Sequence, residues 1–153
     1  MHHLKLSLLI ALLGFTVLSG CSSSGGSSSS PTYSMHATIG TTTLNGTACI
    51  ASLLGSDLGI SGSTVTAGAG GPPQININIS PWSGTTGTTS LVAPLPTGSF
   101  GEYTASTGTI TKVSQTGSVT ITAVSSTTIT GTFSFTCSDG TVVSAGTFTA
   151  KRS

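Results

Sequence analysis

The run Ile129-Thr130-Gly131-Thr132-Phe133-Ser134-Phe135-Thr136-Cys137 places an apolar residue or Gly at every odd position and Thr or Ser at every even one. Successive side chains of an extended chain point to opposite faces. This period of two therefore predicts an antiparallel strand with one face in a core and the other in water. Gln74-Ile75-Asn76-Ile77-Asn78-Ile79 repeats the pattern with Asn outward, and Val119-Thr120-Ile121-Thr122-Ala123 repeats it with Thr outward. Richness in Thr, Val and Ile, with Gly spread along the chain, is strand composition. The expected fold is all-β: a single antiparallel β-sandwich or flattened β-barrel, with a meander-rich C-terminal half.

Turn chemistry punctuates the strands. Asn45-Gly46 and Asp139-Gly140 both suit a type I′ hairpin, whose two central residues need positive φ. Strand centres near Thr111, Ile121, Thr132 and Gly146 follow at the rhythm of an antiparallel meander. Gly and Pro accumulate between Gly68 and Pro73 and between Trp82 and Gly101, which predicts loops there.

Charge is nearly absent. Among 153 residues, four Lys+Arg stand against three Asp+Glu, a net charge of +1 with 5% charged residues. An ordinary globular chain carries about a quarter. A basic nucleic-acid surface and an acidic tail are both excluded by that count, and the length supports one domain.

The first residues read as an address. Lys5 precedes an apolar run from Leu6 to Leu18, the order of a secretory signal. As a helix, that run would reach about 20 Å, short of the roughly 30 Å hydrocarbon slab. It ends in Leu18-Ser19-Gly20-Cys21, which resembles the lipobox of bacterial lipoprotein precursors at all four positions. The resemblance implies a signal peptide over residues 1–20, cleavage before Cys21, a diacylglyceryl thioether on the Cys21 sulfur and acylation of the new amino group. Two or three acyl chains anchor stably where one does not. Residues 21–32 then form the lipidated Cys and a Ser/Gly-rich tether, with an expected reach of about 15–18 Å over its Ser/Gly part. The tether lacks an acidic cluster of the kind that some bacterial lipoproteins use as a surface-export signal, which favours facing the periplasm; the expected location is the outer membrane on that side.

From Tyr33 the chain is expected to be the β domain, residues 33–153. The order Met35-His36-Ala37-Thr38-Ile39, Leu44-Asn45-Gly46-Thr47-Ala48, Leu58-Gly59-Ile60-Ser61-Gly62, Ile75-Asn76-Ile77, Glu102-Tyr103, Gly117-Ser118-Val119-Thr120-Ile121, Ile129 to Phe135 and Gly146-Thr147-Phe148 resembles a family of bacterial lipoproteins of uncharacterised function. That resemblance implies a lipid-anchored all-β domain and no known activity.

With Cys21 committed to lipid, Cys49 and Cys137 remain as an even pair in a chain expected to leave the reducing cytosol. A disulfide between them is the simplest outcome. Closing a loop of about 90 residues would contribute about 4.5 kcal/mol in the chain-entropy picture. Two buried free thiols are the alternative, and no metal-ligand spacing accompanies the pair.

Catalytic groups are few. After cleavage the charged and imidazole groups are His36, Asp57, Glu102, Lys112, Asp139, Lys151 and Arg152. No Gly-x-Ser-x-Gly elbow, phosphate loop or His-Glu-x-x-His is present. His36 with Asp57 or Asp139 could serve a triad, but the wealth of hydroxyls makes that combination uninformative, and turns account for both aspartates. No catalytic residue, metal or cofactor is assigned beyond the covalent lipid at Cys21. Tyr33, Trp82 and Tyr103 are candidate ligand-contact aromatics, with capping of the core as the plainer alternative. The expected role is a non-catalytic structural or binding component of the envelope, touching the membrane through its anchor and contacting glycan or protein. Self-association is a further expectation, because uncharged strand edges lack protection against pairing. The alternatives are a carrier of a small apolar ligand and, behind it, a hydrolase.

Overall fold

Alternation of buried and exposed residues runs through ten strands in the computed structural model, which describes residues 32–64, 73–92, 98–106 and 111–153. The signal peptide, Cys21, the tether up to Pro31 and residues 68–72 of the expected loop lie outside the described residues. The strands are β1 (Ser34–Ile39), β2 (Thr42–Gly46), β3 (Ala48–Leu54), β4 (Asp57–Ser63), β5 (Gln74–Ile79), β6 (Gly87–Ser90), β7 (Phe100–Thr104), β8 (Thr111–Val124), β9 (Thr128–Cys137) and β10 (Val142–Arg152).

Seven of them close a barrel: β3, β4, β5, β7, β8, β9 and β10 pair in that order, and β10 returns to β3. Of the two expected forms, sandwich or flattened barrel, the barrel is therefore the one adopted. Its closure is mixed, since β10 meets β3 in parallel through Lys151–Ile50 and Arg152–Ala51, while the other pairs are antiparallel. One wall is β3-β4-β5-β7. The other is β8-β9-β10, extended by β6 beside β8 and by β1 and β2 beside β10.

The sequence pattern explains the interior. On β9 the odd positions Ile129, Gly131, Phe133, Phe135 and Cys137 are buried, and on β5 Ile75, Ile77 and Ile79 are. Each large apolar side chain taken from water contributes about 1.5–3 kcal/mol. Four inward glycines make room for these bulky groups. A Cβ at Gly62 would stand 2.5 Å from Met35, at Gly101 2.8 Å from the Phe135 ring, at Gly131 2.6 Å from Phe148 and at Gly146 2.6 Å from Phe133. Alternating small and large inward residues is how a narrow barrel is filled without voids. Rings of Phe133 and Phe135 lie 6.2 Å apart, and those of Phe133 and Phe148 lie 6.3 Å apart.

Several sequence expectations are corrected. Asn45-Gly46 is no turn: it ends β2, and the β1–β2 turn is Gly40-Thr41 with Gly40 at φ +58°. Gly46 serves close approach instead, because a Cβ there would meet the carbonyl oxygens of Met35 and Ser63 at 2.9 Å. Asp139-Gly140 does turn the chain between β9 and β10, but only Gly140 has positive φ, at +84°. Gly140 N–H donates to Cys137 O and Cys137 N–H to Thr141 O, so the connection is a three-residue loop with Gly in the left-handed position. The centres near Thr111 and Ile121 belong to one 14-residue strand, β8. Bulges at Ser114/Thr116 and Ile121/Ala123 bend it where a turn was expected. Within the Trp82–Gly101 stretch, the short edge strand β6 and the first residues of β7 interrupt the expected loop.

Cys49 and Cys137 are buried free thiols, and the expected disulfide is absent. Register explains it. Cys137 faces Thr141 just before β10, while Cys49 lies beside Ala150 near the end of β10. About nine residues of strand, roughly 30 Å of contour, separate those levels, whereas a disulfide needs its Cα atoms within about 7 Å. Burial pushes the Cys49 thiol up to about 12. Burial, with the Asp139 charge adding to it, pushes Cys137 up to about 11.

Candidate functional site

The outer face of the β3-β4-β5-β7 wall carries a groove of about 440 Å³. Outward positions come into it by register in two rows. Ile50, Ser61, Asn76 and Glu102 form one; Ser52, Gly59, Asn78 and Phe100 form the other. Gly59 leaves the middle of the floor open, since a Cβ there would meet nothing closer than Ser52 O at 3.9 Å. Ile50 and Phe100 supply apolar surface at opposite sides of the groove.

The two asparagines are held with opposite polarity. Gln74 Nε2 donates to Asn76 Oδ1 at 2.8 Å and to Ser61 Oγ at 2.9 Å, which leaves the Asn76 amide N–H groups free to donate into the groove. Asn78 Nδ2 donates to Gly98 O at 3.4 Å, which leaves its Oδ1 free to accept. Donor and acceptor then stand two residues apart on β5, about 7 Å, between apolar walls. Such an arrangement is chemically matched to a ligand that both donates and accepts hydrogen bonds and also presents a nonpolar face.

The opposite wall is chemically different. Thr88, Thr120, Thr132 and Thr147 follow one another in register across β6, β8, β9 and β10, continuing to His36 and Asn45 on β1 and β2. Here the hydroxyls engage each other: Thr88 with Thr120 at 2.8 Å and Thr122 with Thr130 at 3.1 Å. A shallow depression of about 420 Å³ lies over it at the β10 bulge, where Ala145 has φ +50°.

The candidate aromatics occupy three separate places. Tyr33 borders a small groove with Ala48, Ile50 and Lys151. Trp82 packs against the core and donates from Nε1 to Thr85 O at 3.2 Å. Tyr103 also packs against the core, in register with Ile75 and Lys112. No single platform contains them. His36 Nδ1 is 3.1 Å from Asn45 Oδ1, and Asp57 accepts from Ser80 Oγ at 2.6 Å. Asp139 pairs with Lys112 at 2.6 Å. That hydrogen bond, assisted by the Thr141 N–H, lowers Asp139 to about 2, and the same partner raises Lys112. The three triad candidates are thus each engaged elsewhere. Among the described residues, no cluster of three or more His, Cys, Asp or Glu is arranged to hold a metal ion, and no helix is long and apolar enough to cross a membrane.

No family model, curated protein or solved structure matches this chain. Phe100 and Glu102 escaped the sequence reading as site residues, whereas the outward Asn ladder that holds Asn76 and Asn78 offers a candidate glycan-facing surface in the sequence itself. The signal was there in part: Asn is disfavoured in strands, and two outward Asn residues on β5 call for a reason other than strand propensity.

Proposed function

We propose that this chain is a bacterial envelope protein, anchored by lipid at Cys21 to the outer membrane and facing the periplasm, with a non-catalytic binding role. Its β domain contacts glycan through the groove across β3, β4, β5 and β7. The observation that carries this reading is the pair of oppositely polarised asparagine amides between Ile50 and Phe100. A sugar ring has the matching character, with hydroxyls that donate and accept around its rim and C–H surface on its face. The filled barrel interior, with glycines under Met35, Phe133, Phe135 and Phe148, supports an outer-face site over carriage of an apolar ligand inside.

Glycan-array binding by the wild type and by Phe100→Ala tests the groove. The wild type is expected to retain a subset of neutral or amino-bearing glycans and the variant to lose it; a flat array for the wild type refutes the reading. For the anchor, intact mass of native material is expected to show a chain starting at Cys21 with added acyl mass. A retained leader or an unmodified thiol at that position refutes it.

A further inference from the structure

We propose that the groove selects glycans carrying a free amine, and that Glu102 is the residue that selects them; this rests on the glycan reading above. Glu102 stands in register between Asn76 on β5 and Val113 on β8, and its side chain borders the groove. Among the described residues its carboxylate has no ion-pair partner, since the ion pair found there is Lys112–Asp139. Lys112, next to Val113, is the nearest cation in register. Its Nζ is already held by Asp139 at 2.6 Å and by Thr141 Oγ1 at 2.9 Å. Lys151 lies beside Ile50 on the far side of the wall, four strand steps from Glu102. At about 4.8 Å per strand that is roughly 19 Å, beyond direct pairing and beyond the Debye length of about 8 Å at physiological salt.

Glu102 is a half-buried residue, and a carboxylate without a protein cation pairs best with a ligand that brings one. Within the class of ligands the groove accommodates, that cation is a protonated sugar amine. Asn76 beside it supplies a donor to a neighbouring hydroxyl, and Phe100 covers the ring face. The same carboxylate repels a sugar acid, so one residue provides both attraction and rejection.

Titration calorimetry of the detergent-solubilised full chain at about pH 5.5, below the ordinary range of an amino group, tests this with three probes: a glucosamine oligomer, the N-acetylglucosamine oligomer of equal length and a galacturonic acid oligomer. The amine oligomer is expected to bind about tenfold tighter than the acetylated one, as a single charge-assisted hydrogen bond provides, and the acid oligomer to bind weakest. Glu102→Gln is expected to bring the first two within about twofold of each other, the amine oligomer losing its advantage. Equal affinities in the wild type, or discrimination that survives Glu102→Gln, overturn the inference and leave the glycan reading standing. Binding of none of the three overturns both.

Discussion

The two outer walls of the barrel are built on the same alternation and end with opposite surface chemistry. On the β8-β9-β10 wall the outward residues are mostly Thr and Ser, whose short side chains reach their cross-strand neighbours and consume each other's hydrogen bonds. On the β3-β4-β5-β7 wall the outward residues include Asn76, Asn78 and Glu102, and each asparagine is only half engaged by the protein. Thr suits a strand and needs no further explanation. Asn does not suit one, and here it leaves a donor and an acceptor facing solvent between apolar sides. A strand's outward residues thus separate a face whose hydroxyls are spent on one another from one that leaves a donor and an acceptor unspent.

The largest expected contrast separates a glycine that faces the core of one wall from a glycine that faces outward on the other. Gly131→Ala places a Cβ 2.3 Å from Thr120 O and 2.6 Å from the Phe148 ring, and a backbone oxygen cannot move aside. The substitution is expected to cost about 3 kcal/mol or more in urea unfolding. Gly59→Ala, with 3.9 Å to its nearest neighbour, is expected to be neutral or to stabilise by about 0.5 kcal/mol, while narrowing the groove and weakening glycan binding.

The thiols give an all-or-none check on how the walls are joined. In a Cys21→Ser variant, two thiols are expected to titrate in denaturant without reductant and none in the native protein, because burial holds them up at about 12 and about 11. Finding no thiol after unfolding would restore the disulfide and contradict the register that separates Cys49 from Cys137.

Smaller effects separate the two outer faces. Thr120→Ala is expected to cost about 0.2–1 kcal/mol through the lost cross-strand pair and to leave glycan binding intact, whereas Asn76→Ala should abolish binding at similar stability. The smallest effect lies at the β9–β10 turn. Asp139 is depressed to about 2 by Lys112, against about 3.9 for an ordinary Asp. Its contribution is therefore present above about pH 4 and lost as pH falls through about 2. In Lys112→Met the Asp139 carboxyl, followed by NMR titration, is expected to return towards the ordinary value.

The strands were legible because their pattern is local. β9 and β5 each read correctly from the period of two, and Asp139-Gly140 marked its hairpin. Asn45-Gly46 misled because Gly has two uses, positive φ and close backbone approach, and only packing against Met35 and Ser63 reveals which applies. The barrel's closure was illegible for a related reason. It rests on a two-residue parallel pairing between the ends of distant segments, which leaves no periodic trace. The even cysteine count suggested a bridge, but parity says nothing about the register that places Cys49 and Cys137 at different levels of β10. The groove was half legible: the outward asparagines were visible, while their union with Ile50, Phe100 and Glu102 depends on register across four strands.

The most direct test is side-chain amide NMR of the protein titrated with a glucosamine oligomer. Saturable shifts of the Asn76 and Asn78 Nδ2 resonances, with the Phe100 ring moving in step and the Thr120 and Thr132 methyls unmoved, are the predicted result. Shifts confined to the threonine wall, or none at either, would contradict the assignment of the binding face.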